Sequence, residues 1–258
     1  MSAEEQLGSS KKPRLRMHKG CSVTVQQPWM SIVVPYFDAP AQLEWFIEPL
    51  EGVSTPIELI VVDDCSSSPP SATLLGALSH QVRILRVQDR LPWSMSVASN
   101  WGFVYASSRR VLRTDLDCRI YEGTDLDDCR ALPLEGLAVH RLLRVVFDQG
   151  REGFVVVKPH PNAFVCARET FFELGMYDER FRGNYGSDDV DFFDRAERNG
   201  RVSRADIYLE GFAGEKQESG DRSVAANQRL LRRKRRGRIA NSAKRLTSDI
   251  RTTYFKPI

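Results

Sequence analysis

Apolar residues follow two rhythms along the first 120 positions. "SIVVPYF" (31–37) is β-branched, contains Pro35 and ends in the turn residues Asp38-Ala39-Pro40, after which "AQLEWFIEPLE" sets its apolar residues at helical spacing. "IELIVVDD" (57–64) is an unbroken apolar run that stops at two carboxylates and the loop "CSSSPPS". Such a run predicts a strand buried on both faces of a mainly parallel sheet. A short helix at 72–79, the strand "VRILRV", the helix "WSMSVASNWGFVYASS" and the strand "RRVLRTDLD" continue the alternation to residue 117. Strands alternating with helices predict a doubly wound α/β layer.

The second half has a weaker rhythm. "GFVVVK" and "NAFVCA" predict short strands, and "RETFFELG" a helix closed by Gly175. "YDERFRGNYGSDDVDFFDRAERNG" predicts a loop feeding a helix that Gly200 closes. The basic segment near the end predicts a C-terminal helix.

Composition narrows the class. With 258 residues, 41% hydrophobic and 28% charged, the chain suits one large domain with a substantial core. No run approaches the roughly 18 apolar residues of a membrane span. The first 29 residues carry charge without an apolar h-region, which predicts a polar arm and no signal peptide. The five cysteines (21, 65, 118, 129, 166) include no CxxC, so neither a disulfide framework nor a zinc site is indicated, and a reducing, cytoplasmic setting fits.

Net charge is +3, yet "RLLRRKRRGRIANSAKR" (229–245) holds nine Lys/Arg and no acid. The rest of the chain is therefore acidic, about −6. A basic tail on an acidic body points to a localised anionic partner, such as the inner face of a membrane, where the protein would sit peripherally. A nucleic acid would meet the ordered carboxylates and be repelled.

Thr-Asp-Leu-Asp occurs twice, at 114–117 and 124–127. The second copy has Thr124 as an N-cap with Asp127 three residues on, close to a capping box at the start of a helix. The first copy ends a predicted sheet strand, where open α/β sheets bind ligands. Asp115 and Asp117 share a face along a strand and suit a divalent cation with its phosphates. An EF-hand is excluded, because Arg119 and Ile120 occupy its fifth and sixth positions. Asp188-Asp189 has two readings, a helix start capped by Ser187 or a functional carboxylate pair.

Together, "SIVVPYFD", "IELIVVDDCSS" and "SVASNWGFVYASSRRVLRTDLD" resemble the nucleotide-sugar half of GT-A glycosyltransferases, particularly glycosyltransferase family 2. "GMYDERFRGNYGSDDVDFFDRAERNG" is similar to the acceptor-side motif of β-1,4-galactosyltransferases and chondroitin-synthase-type enzymes. The resemblance covers about residues 30 to 210 and implies a GT-A fold, Rossmann-like with a mainly parallel sheet. Its layout would be an N-terminal arm (1–29), a nucleotide-sugar-binding half (30–120), an acceptor-binding half of the same domain (121–215) and a basic C-terminal helix or tail (216–258).

What the resemblance implies chemically is an inverting transfer from a UDP-sugar donor to a glycan or glycoconjugate acceptor, with Mn2+ or Mg2+. Pro35, Tyr36 and Phe37 would line the base pocket, and Asp63 or Asp64 would bind uracil or ribose. Asp115 would touch ribose or metal, and Asp117 would hold the cation. Asp189 would be the catalytic base and Asp188 would contact the acceptor, with Tyr185 in the preceding loop as a stacking surface. Two departures stand out. Ala98-Ser99-Asn100 replaces the Ala-Arg-Asn common in family 2, and all four histidines precede the acceptor motif, leaving Glu210 or Glu215 to replace a histidine metal ligand. Those departures leave open a non-catalytic sugar-nucleotide-binding protein, and the tail an anionic-polymer-binding module.

Overall fold

A computed structural model describes residues 27–88, 90, 95–121, 126–147, 155–214, 222–240, 243 and 250–257. Its first part contains β1 (Met30–Tyr36), α1 (Pro40–Ile47) running into a 3-10 turn (Glu48–Gly52), β2 (Glu58–Asp63), α2 (Ala72–Ala77), β3 (Gln81–Val87), α3 (Met95–Tyr105) and β4 (Arg110–Arg113). All four strands are parallel, in the order β3-β2-β1-β4. Strand alternation sorts their side chains. Ile32, Val34, Leu59 and Val61 pack with Leu43 and Phe46 of α1, while Val33, Ile60 and Val62 pack with Phe103 of α3 on the other face. β2 is buried along its whole length, as an apolar run without alternation requires. Where α3 crosses β1, a side chain on Gly102 would stand 2.1 Å from Val33 Cγ1, so only glycine permits this approach.

The remainder contains β5 (Cys118–Ile120), a 3-10 helix (Leu126–Ala131), β6 (Ala138–Phe147), β7 (Val155–Ala167), α4 (Arg168–Glu173), α5 (Asp188–Asn199), β8 (Arg201–Gly211), α6 (Ala225–Arg235) and β9 (Ile250–Lys256). One nine-stranded sheet results, ordered β5-β8-β6-β7-β4-β1-β2-β3-β9. β7 joins antiparallel to β4, and β9 returns antiparallel along β3. The fold is therefore α/β with a parallel centre and antiparallel flanks. Stacked rings of Phe103, Phe164, Phe171 and Phe192 fill the space under α3, α4 and α5.

Three local expectations change. The two short strands predicted at 153–158 and 162–167 form the single strand β7, bridged by Pro159-His160-Pro161. Proline cannot donate to a ladder, and the pairing with β6 shifts register between Arg141 and Leu143 at this point. From Leu126, within the second Thr-Asp-Leu-Asp, the described chain forms a 3-10 helix stopped before Pro133, where an α-helix is expected. Thr124, its expected cap, lies outside the described residues. The segment after 216, expected as helix and tail, also supplies an edge strand.

Candidate active site

The carboxyl ends of β1, β2 and β4 and the N-terminus of α5 bring together the residues that could do chemistry. At β1, Tyr36 points into the core, 1% exposed, and its hydroxyl donates to the Ser68 carbonyl at 2.8 Å. Pro35 is half-buried and Phe37 is exposed. The following Asp38, held at φ 44°, accepts from the Ser68 N–H at 2.6 Å, and its own N–H donates to Ser66 Oγ at 2.9 Å. The loops after β1 and β2 are thus laced together.

Asp63 belongs to that lacing. One of its carboxylate oxygens accepts from the Ser66 N–H at 2.8 Å and the other from Arg86 at 2.5 Å. Asp64 follows at the strand end, 6% exposed, its N–H donating to the Tyr36 carbonyl.

β4 ends in a cation, Arg113, and the turn that follows it, before β5, carries two carboxylates, Asp115 and Asp117. Arg113 is fully buried, and its guanidinium donates to Asp115 at 2.5 Å, to the Asn162 carbonyl at 2.8 Å and to Ser99 Oγ at 3.2 Å. Its Nη2 is buried and has no hydrogen-bond partner among the described residues. The contact with Ser99 ties the strand that carries Arg113 to α3. Asp115 also accepts from the Asn162 amide at 3.3 Å. Burial works against its charge, but Arg113 beside it holds the carboxyl below the usual carboxylate range.

Asp117 is half-buried, and its carbonyl accepts from the Phe212 N–H at 2.9 Å, which seats it against the end of β8. Ligating atoms of Asp117, Cys118 and His160 lie within 4.8 Å of one another. His160 Nδ1 accepts from the Asn162 N–H at 3.1 Å, which places the proton of the neutral ring on Nε2, facing Cys118 Sγ at 3.2 Å. Burial lowers the pKa of this imidazole. Of the three groups, the Asp117 carboxylate is the donor that suits a hard cation. Glu210 pairs with Arg119 at 2.5 Å, opposite it on β5, and Glu215 lies outside the described residues.

α5 begins with Asp188 and Asp189. Ser187 does not cap it: the residue is left-handed at φ 72° and its side chain bonds to nothing in the helix. Asp188 is 5% exposed, and burial together with neighbouring Asp189 pushes its carboxyl up to about 7. Asp189 is half-buried and also raised by burial; the Val190 N–H and Arg113 pull it down, while Asp115 adds to the rise. The helix-start amides are outweighed. Asp191, in the same turn, points away to Arg195 and Lys234. Tyr185 is 37% exposed at the loop tip, with Arg222 5.8 Å from its ring.

Arg113, Asn162 and His160 are parts of the site that the sequence reading left without a role. For Arg113 a signal existed, since it shares strand parity with buried Val111 and a charged residue on a buried face must be paired.

No family model matches the sequence, and no curated protein matches it. Solved structures do. S. aureus TarS 1–349 in complex with UDP-GlcNAc matches with TM-score 0.58 at 17% identity, over 79% of this chain and 64% of that one. GalNAc-T7 with UDP, GalNAc and Mn2+ matches with TM-score 0.56 at 14% identity, over 80% and 48%. The mannosyltransferase PcManGT from Pyrobaculum calidifontis, in complex with GDP-Man and Mn2+, matches with TM-score 0.55 at 16% identity, over 84% and 66%. This chain spans less than two-thirds of the first two. It has the GT-A fold of these glycosyltransferase structures.

Proposed function

We propose that this protein is an inverting, metal-dependent glycosyltransferase that moves a sugar from a UDP-sugar to a hydroxyl of a glycan or glycoconjugate. One observation carries the reading: Asp115, just after β4, and Asp188 and Asp189, opening α5, share Arg113 as their common counter-charge. A UDP-sugar donor is supported by the UDP-GlcNAc bound in TarS and the UDP bound in GalNAc-T7.

Pro35 and Phe37 would border the base at the end of β1, with Tyr36 as their support from the core. Asp64 is better placed than Asp63 for uracil or ribose, because both oxygens of Asp63 are taken up by Arg86 and the Ser66 N–H. Asp117, with Asp115 beside it, would hold Mn2+ or Mg2+; such ions are commonly bound by one or two carboxylates plus substrate phosphates. When bound, the cation neutralises charge on the departing diphosphate. Asp189 would take the acceptor hydroxyl's proton as that oxygen attacks from the opposite face of the sugar, and its raised pKa makes it the stronger base. Asp188, neutral below about pH 7, would donate a hydrogen bond to the acceptor. Tyr185 offers a ring on which an acceptor sugar can stack. The basic segment 229–245 would rest on an anionic membrane surface.

The test uses UDP with Mn2+ as the ligand and the melting midpoint as the readout. Asp117→Ala should abolish the metal-dependent rise. Asp127→Ala should preserve it and cost less than about 1 kcal/mol, since its pair with Arg130 lies at the surface. Asp189→Asn should bind UDP normally yet transfer sugar about a hundredfold more slowly. Equal loss of UDP binding in the Asp117 and Asp127 variants would overturn the donor-site assignment.

A further inference from the structure

Helix α6 holds the loop that leads to Asp188 and Asp189. Asn227, 2% exposed, donates its side-chain amide to three carbonyls of that loop: Phe181 at 2.9 Å, Asn184 at 2.9 Å and Gly186 at 2.8 Å. The loop needs such a partner. Gly183, Gly186 and Ser187 all have positive φ, at 84°, 74° and 72°, so its carbonyls point along no regular ladder. One amide group with two hydrogens serves three acceptors, which requires one hydrogen to be shared.

Seven residues on, and so on the same face of α6, Lys234 is also 2% exposed. Its ammonium pairs with Asp178 at 2.6 Å and with Asp191. Asp178 lies just before the loop and Asp191 in the first turn of α5. Both carboxylates are buried, at 0% and 1% exposure. Taking three charges out of water is costly unless their geometry is fixed, and here they fix α6 in register on both ends of the loop. Leu231 completes the buried face between Asn227 and Lys234.

We infer that Asn227 is a positioning residue: through three loop carbonyls it sets the path of residues 182–187 and thereby the placement of Asp188 and Asp189, with Lys234 fastening its helix. The functional half of this inference rests on the acceptor-side reading of the two aspartates; the geometric half does not.

The experiment compares Asn227→Ala, Asn227→Asp and Asn227→Ser with wild type by amide hydrogen exchange, UDP/Mn2+ binding and hydrolysis of UDP-GlcNAc. In the alanine variant, amides of 182–190 should exchange at least about tenfold faster, while those of β1, β2 and β4 keep their rates. Aspartate should be worse than alanine, because a carboxylate facing three carbonyls repels them. Serine, which keeps one donor, should fall between alanine and wild type, and carries the comparison should the other two not fold. UDP/Mn2+ affinity should stay within about twofold and hydrolysis should drop about tenfold or more, a separation that general destabilisation does not produce. Unchanged loop exchange, or equal acceleration in every peptide, would overturn the inference. If wild type binds no UDP, the donor reading fails and the exchange data still decide the clamp.

Discussion

Arg113 shows how a single buried residue can organise the site it belongs to. It is wholly buried, it fixes Asp115 directly, and its charge lowers both carboxyls at the start of α5. Asp188 stays raised because burial and Asp189 outweigh it. Stability should register this. An unfolded aspartate titrates near 3.9 and the folded one at about 7, so the folded form's hold on its proton contributes fully below about pH 4. That contribution is lost as pH rises through about 7. Asp188→Asn imitates the protonated group at every pH, so without metal it should unfold later than wild type at pH 8. One pKa unit corresponds to about 1.4 kcal/mol, so the gain at pH 8 should exceed roughly 1 kcal/mol and shrink towards pH 4. Urea melts of both proteins in EDTA measure it. A difference that does not vary with pH would mean Asp188 titrates as an ordinary carboxyl.

Elements with one strong rhythm were legible, and those with conflicting signals were not. β1 and β2 stand out because they are nearly unbroken apolar runs buried on both faces, and β3 and β4 follow from the alternation with helices that those two set up. β6 and β8 lie nearer the sheet's far edge and mix arginines with apolar residues, so no period dominates in "AVHRLLRVVF" or "RVSRADIYLEG". β7 was split by two prolines that the sheet absorbs as a register shift. The basic segment was legible as a helix, but not its two faces. Arg229, Arg232, Arg233 and Arg236, at spacings i, i+3, i+4 and i+7, are exposed opposite the buried stripe of Asn227, Leu231 and Lys234. Among the described residues none of these four pairs with a carboxylate, whereas Arg235 at the side pairs with Asp194 at 2.6 Å. A stripe roughly 10 Å long pointing away from the body suits a flat anionic surface. Each arginine near such a surface contributes about 1 kcal/mol, fading over roughly 10 Å at 0.1 M salt. Vesicles containing anionic lipid should therefore sediment the protein at low salt, neutral vesicles should not, and replacing the four arginines by glutamine should abolish binding. No sedimentation of wild type at low salt would leave the stripe a solvated face.

At the scale of the whole molecule, the site depends on two halves of the chain being held as one. The division at about residue 120 does not divide the sheet: β4 of the first half pairs with β7 of the second, and β5 at the boundary pairs with β8. Asn100 on α3 adds a side-chain tie across the same boundary. It is fully buried, accepts from the Tyr177 N–H at 3.0 Å, and donates to the Tyr177 carbonyl at 3.0 Å and to Glu179 at 2.9 Å. Nothing in "SVASNWGF" distinguishes that asparagine from a residue of a donor site, because its partners lie 77 and 79 positions away and only the fold brings them near. Removing it would strand a buried N–H, a carbonyl and part of a carboxylate's solvation, each costing about 1–3 kcal/mol when left unpaired. Asn100→Ala should therefore lower the unfolding free energy by roughly 2–4 kcal/mol. Because one sheet runs through both halves, the loss should appear as a shift of a single transition, with far-UV circular dichroism and tryptophan fluorescence moving together. Two resolved transitions in wild type would show that the halves fold independently, and that the placement of Asp188 and Asp189 opposite Asp115 and Asp117 is a docking event between them.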